Sequence, residues 1–520
     1  MKADPGTSVH GRRHAPLFVS ALAAVVLLAL PAGAQALEQT LLAGDGAVGD
    51  EFGFAVAIDG DTAVVGAPEA AGGLGAVYVF TRSGESWSQT AKLTASVGTA
   101  NDGLGSSVAI DGETIVAGAS GGQGSVYTFA RSGAAARTET AKLTASDGAA
   151  DDRLGDSVAI DGETIVAGAP GDDIGGFDQG SAYTFAAGGT AARTETAKLT
   201  ASDGAATDRL GDSVAIDGDT IVAGAPGDDI DGFDQGSVYT FASSGAAART
   251  ETAKLTSTSR FEDDQLGVSV AIDGDTIVAG APFDVGVIGN EGSLYTFARA
   301  GAAARTETAK LTASDGGPID QLGASVAIDG NTIVAGAPGD EVGVNELQGS
   351  VYSFTRSGAA ARTQIAAQTA TDGAESDFLG ISVAIDGVTI LAGAFRDDVG
   401  ANVDQGSTSV LPVSAAPIAN PPTNTASPEL TGKARLGRRL RASTGSWTGT
   451  EPLSFSYDWA RCNSKGKRCK VIAGANAKTY KLKRADIRRR LEVAVTAENS
   501  AGQQTAVSPP SKVVKRRKRG

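Results

Sequence analysis

The sequence predicts an all-β chain: a seven-bladed β-propeller closed by its own N-terminal strand, followed by a small antiparallel β-sandwich. Three observations predict it. The phrase Val-Ala-Ile-Asp-Gly recurs seven times, with its aspartate at Asp59, Asp111, Asp161, Asp217, Asp273, Asp329 and Asp386. The spacing, about 50 to 57 residues, is the length of a propeller blade and exceeds that of helical solenoid repeats. Each unit holds four short apolar runs split by turn residues, and none sustains a 3.6-residue period.

The chain has 520 residues, 70 of them Gly, with 5% aromatics and a net charge of −16. That charge hides an asymmetry. From residue 417 onward there are about 23 Lys+Arg and 6 Asp+Glu, which leaves about 21 basic and 54 acidic residues before it. An acidic body repels nucleic acid at its own surface, so polyanion contact falls to the basic end.

The N-terminus reads as an export signal over residues 1–36. Lys2, Arg12, Arg13 and His14 precede an apolar stretch at 17–30, too short for a membrane span. Pro31 ends it, and Ala34-Gln35-Ala36 offers a small-x-small cleavage pattern. An uncleaved anchor is the alternative. No later stretch is apolar enough to span a membrane. His10 and His14 are the chain's two histidines. Once that segment is removed, histidine nucleophile activation, general base work and metal ligation are all excluded.

The third unit shows the blade logic. Residues 157–160 form the first run, and Asp161-Gly162-Glu163 turns it tightly, since Asp-Gly tolerates positive φ. The second run, 164–169, stops at Pro170. A Gly/Asp loop follows, then the third run at 181–185 and the fourth at 194–200. Ala167-Gly168-Ala169 carries no bulk, so neighbouring sheets can approach near the axis. Leu154-Gly155 pairs an apolar plug with a backbone able to bend. One four-stranded sheet cannot bury both faces, and stacking in a circle solves that.

The last unit has runs at 382–385, 389–394 and 407–411 but no fourth. The spare run at 38–43 matches 89–94 of the first unit. It is predicted to complete the last blade and so limit exposed edges. The propeller then spans residues 37–416.

These units resemble FG-GAP repeats, the blades of the integrin α-subunit head and of many exported bacterial proteins. The Phe-Gly half stands as Phe52-Gly53 and becomes Leu-Gly later, as at Leu210-Gly211. The Gly-Ala-Pro half is intact at Gly66, Gly168, Gly224, Gly280 and Gly336, and altered at Ser120 and Phe395. The resemblance implies a propeller used for binding and adhesion at the cell surface. Calcium-binding blades of that family carry an Asp-x-Asp-x-Asp-Gly loop between the first two strands. Here only turns such as Asp217-Gly218-Asp219 occupy that place, too short to wrap a cation needing six or more oxygens.

The loops between second and third strands share a face with the blade-to-blade loops, and both sets are acidic. Asp151, Asp152, Asp172, Asp173 and Asp178 cluster in one blade; Asp208, Asp228, Asp229, Asp231 and Asp234 in the next. Phe177 and Phe233 sit among them. The candidate binding face is therefore Asp172, Asp173, Phe177, Asp178, Asp228, Asp229, Phe233 and Asp234, facing a protein or glycan ligand. The competing reading is a solubilised rim of Asx-turns with both rings folded back. No cofactor or metal is assigned; calcium on these loops is the alternative. The loops are short in the first two blades and longer in the other five, which gives the face a low and a raised side.

Residues 417–428 read as a Pro-rich linker, 429–512 as a second domain and 513–520 as a basic tail. Strand-like runs fall at 442–448, 453–461, 470–472, 479–482 and 491–498. Phe455, Tyr457 and Trp459 alternate onto one face. Together with Cys462, Cys469 and Tyr480 the pattern resembles bacterial Ig-like modules on exported proteins. Cys462 and Cys469 are expected to form a disulfide in an oxidising compartment, contributing on the order of 2–3 kcal/mol. Its basic residues suit an anionic envelope polymer or a solvated surface, and no nucleic-acid recognition fold is present. A secreted or surface binding protein is the reading that fits. The rival is a propeller lyase or glycosidase built on paired carboxylates. The near-identity of the blades argues against it.

Overall fold

The Thr-Ile-Val-Ala-Gly-Ala run is buried almost end to end in every blade that has it, as a strand flanked by two packed sheets must be. The computed structural model describes residues 38–132, 139–188, 193–230, 233–244, 251–259, 261–286, 289–301, 304–356, 364–413, 422–448, 453–499 and 502–516. The export segment at 1–36 lies outside these residues, as does Asp231.

Seven antiparallel sheets follow one another. Blades 1 to 6 span 55–93, 104–144, 158–199, 214–256, 269–311 and 325–368. Blade 7 takes three strands from 383–412 and its outermost from Gln39–Leu41. Gln39 pairs with Val410, Thr40 with Ser409 and Leu41 with Thr408. The closure expected from the spare N-terminal run is present.

The two glycines of the repeat explain how closely the blades meet. The Gly of the Gly-Ala step that ends each second strand faces the carbonyl of the Leu-Gly or Phe-Gly bend in the next blade. A Cβ on Gly66, Gly118, Gly168, Gly224, Gly280, Gly336 or Gly393 would stand 1.8–2.0 Å from that oxygen. The last of these oxygens belongs to Gly53 of blade 1, so the contact runs once around and returns. The facing glycines also hold φ near +91° to +98°, a region open to Gly at little strain.

Two further rings stitch the blades. The aspartate of Val-Ala-Ile-Asp-Gly accepts the turn-glycine N–H of the following blade. Six such bonds, from Gly60, Gly112, Gly162, Gly218, Gly274 and Gly387, measure 2.5–3.1 Å. On the outer rim, Glu38, Gln89, Glu139, Glu195, Glu251, Glu307 and Gln364 each accept a backbone N–H from the preceding blade at 2.6–3.0 Å. Arg131, Arg299 and Arg356 add a reach back to Asp59, Asp217 and Asp273.

The fourth run of blade 3 needs correction. Only Ala197–Leu199 joins its own sheet, while Arg193–Thr194 pairs in parallel with Leu143 and Thr144 of blade 2. Ala304–Thr306 does the same to blade 4.

Past the propeller, three small sheets surround a core of Trp459, Tyr480, Leu440, Leu491, Val493 and Val495. The long pair Ser454–Cys462 and Arg490–Asn499 forms its spine. Phe455, Tyr457 and Trp459 grade from exposed to fully buried along one face. Both predicted boundaries shift outward. Thr423–Ala426, placed in the linker, pairs with Ser446–Thr448. Val514, placed in the tail, is buried in the core, and Lys515 bridges to Arg435. The apolar Val513-Val514 pair inside the basic stretch explains the second shift. Cys462 and Cys469 are joined in a disulfide.

Candidate functional site

In blades 3, 4 and 5 the loop after the second strand carries an aspartate that turns inward, Asp172, Asp228 and Asp284. Asp172 is buried, and its Oδ2 accepts hydrogen bonds from Tyr183 Oη (2.8 Å) and Ser181 Oγ (2.5 Å). Lys198 Nζ lies 2.6 Å from Asp172 and 2.7 Å from Asp147. Blade 4 repeats this with Tyr239, Lys254, Asp228 and Asp203. Burial alone would lower the pKa of Lys198 and Lys254, but the paired carboxylates outweigh it and hold both up. Asp172 and Asp228 therefore leave the candidate binding face, because their oxygens serve the blade interior. Calcium does not fit these carboxylates either, since an ammonium stands where the ion would sit. In the Asp217-Gly218-Asp219 turn an arginine takes that place, with Arg299 paired to both aspartates.

The next residues face outward. Asp173 and Asp229 are exposed, and each accepts the N–H of Asp178 or Asp234 at 2.8 Å, closing the loop on itself. Phe177 and Phe233 are each 68% exposed. Their backbones are nevertheless fixed: the Phe177 carbonyl accepts the Thr207 N–H (2.8 Å) and that of Phe233 the Asp263 N–H (2.9 Å), both from the following blade. Arg209 and Gln265 N–H groups bond the Asp178 and Asp234 carbonyls in turn. The competing reading, with both rings folded back onto the blade, is not what the loops do. Exposed apolar side chains continue around this face at Val97, Phe261, Ile319 and Val344.

A second set of residues escaped the sequence reading. The position before each Leu-Gly or Phe-Gly bend is Glu51, Gly103, Arg153, Arg209, Gln265, Gln321 and Phe378, all with φ between +53° and +65°. Non-glycine residues there carry backbone strain of about 1 kcal/mol or more, yet six blades have one. The identity changes by sector. Arg153 and Arg209 pair with Asp156 and Asp212, three residues on. On the far side, Phe54 and Phe378 meet Phe395, with Arg396 over two of the rings. Burial raises the pKa of Asp212, despite Arg209. A cleft of about 660 Å³ between blades 3 and 4 is lined by Arg153, Arg209, Asp151, Asp173, Phe177 and Asp178. The signal was in the sequence: these are the positions where near-identical blades disagree.

Among the described residues the one group of three metal-capable side chains within 4.8 Å is Cys462, Cys469 and Glu492, and both cysteines are spent in the disulfide.

The fold and face define a closed seven-bladed propeller whose loops after the second strand are longer in blades 3 to 7 than in blades 1 and 2. The chain belongs to the FG-GAP repeat family, whose model matches residues 36–80, 87–135, 138–185, 194–241, 250–297, 306–354 and 363–411. No curated protein matches the chain. Among the described residues, no helix is long and apolar enough to cross a membrane.

Proposed function

We propose that this chain is an exported, non-catalytic binding protein that holds a glycan or protein ligand on its loop face. One observation carries the reading: Phe177 and Phe233 present exposed rings on backbones pinned to the neighbouring blade. An aromatic ring held in place needs little ordering on contact, which favours its use as an anchor. The cleft beside Phe177 adds guanidinium and carboxylate groups suited to hydroxyl-rich or charged ligands. The repeat family supports the binding role, since such propellers are typical of adhesion and extracellular proteins.

The test is a glycan and surface-protein array probed with the whole chain, then with the Phe177→Ala/Phe233→Ala variant. The expected result is a captured ligand whose affinity falls at least tenfold in the variant with the melting temperature unchanged. A ligand bound equally by both forms removes this face from the function. Depolymerisation of any polysaccharide by the wild type replaces binding with catalysis.

A further inference from the structure

The C-terminal module has its own groove, independent of the propeller face. Two segments build it side by side. Arg435 bridges in parallel to Lys515, the Lys515 N–H donates to the Ala434 carbonyl, and the Leu436 N–H donates to that of Lys515, both at 3.0 Å. The resulting trough of about 520 Å³ is lined by the apolar Leu430, Leu440 and Val513 and the basic Lys433, Arg435, Lys512 and Lys515. No acidic residue lines it. Lys433, Lys512 and Lys515 are exposed and Arg435 is half-buried. None of the four is in an ion pair among the described residues; the module's ion pair there is Arg461 with Asp486.

We infer that this groove binds a linear anionic polysaccharide. Four like charges on two adjacent segments repel one another, and a chain of regularly spaced anions relieves that repulsion. A small anion is a poorer fit, because the cationic heads are solvated and spread along an open trough. The apolar lining residues suit the carbon faces of sugar units between the charges. Charge complementarity points the same way: the module carries about 23 Lys+Arg against 6 Asp+Glu from residue 417 on.

The experiment is fluorescence anisotropy of the whole chain against labelled polygalacturonate, polyphosphate and single-stranded DNA of matched charge, across a salt series. A groove variant, K433Q/R435Q/K512Q/K515Q, is set against a control, K465Q/K467Q/K470Q/K478Q, whose exposed lysines lie outside the trough. The groove variant is expected to bind at least tenfold more weakly, with the log–log salt slope reduced by about 3. The control should lose less than threefold. Polygalacturonate bound more tightly than polyphosphate and DNA of matched charge is the expected order, since only the polysaccharide offers sugar faces to the apolar lining. The single variants Lys433→Gln and Lys512→Gln, each losing about twofold, carry the test if the quadruple variant unfolds. Equal loss in groove and control variants overturns the proposal. So does wild-type protein that does not bind polygalacturonate at about 50 mM salt, or that binds polyphosphate or DNA tenfold more tightly.

Discussion

Blades 4 and 5 share a backbone and an interior but not an electrostatic arrangement. In blade 4, Asp203 and Asp228 enclose Lys254 and Tyr239, and Asp208 accepts the Ala205 N–H at 2.6 Å. In blade 5, Ser259 stands where Asp203 does. Asp284 still takes Lys310 and Tyr295, but Asp264, equally buried, has neither oxygen in a hydrogen bond among the described residues. The Ser259 hydroxyl and the Val285 N–H approach it without reaching bonding geometry. Burial pushes both Asp208 and Asp264 up to about 6. The comparison teaches that the repeat copies backbone contacts faithfully and polar satisfaction less so. An aspartate kept without its donor is a local liability.

The contact between these two blades is the sharpest place to break them. Gly224→Val would put a Cβ 1.9 Å from the Gly267 carbonyl, backbone against backbone. Denaturant titration should show a loss of more than about 4 kcal/mol or no cooperative fold. Gly188→Ala, with open space around it, should change stability by less than about 0.5 kcal/mol. A well-folded Gly224→Val protein would mean the sheets do not meet there.

Adjacent aspartates separate interior from surface within blade 4. Asp228→Ala strips the shared acceptor from Tyr239 and Lys254 and should cost about 2–3 kcal/mol. Asp229→Ala should cost below about 1 kcal/mol. Equal losses would erase the distinction.

Blade 5 should respond in the opposite direction. Burial holds Asp264 at about 6 in the fold, against an ordinary value of 3.8. Between those values the folded form binds more protons, so its contribution to stability falls as pH rises from 4 to 6. Asp264→Asn removes that penalty. The melting temperature should rise by about 1–3 °C at pH 8 and stay unchanged at pH 4. A constant offset across that range would show that charge is not the cause. The smallest stability effect belongs to the loop tips. Phe233→Ala should alter stability by less than about 0.5 kcal/mol, and a larger loss on thermal melting would give the ring a packing role.

Seven blades, the N-terminal closing strand and the Cys462–Cys469 bridge were readable because each rests on counting or spacing. The two-fold role of Gly-Asp-Asp was not. Asp172 and Asp173 are identical in sequence, and which one turns inward depends on Tyr183 and Lys198, contributed by other strands. The same holds for the repeated Ile-Asp-Gly aspartate, whose acceptor role reaches into the next blade. The second domain's limits were misplaced because Thr423–Ala426 and Val514 sit in stretches whose composition says linker and tail. The residues before each Leu-Gly bend were visible as breaks in the repeat, but their shared left-handed backbone was not.

Gln39–Leu41 and residues 408–410 come together across about 370 positions of chain. The oldest strand of the polypeptide must therefore wait, unpaired, for nearly the whole propeller to follow it. A product cut short by a single blade has no seat for that strand and offers two raw sheet edges at once. Completeness is thereby tested by the ring itself: only a full-length propeller can hide both of its ends.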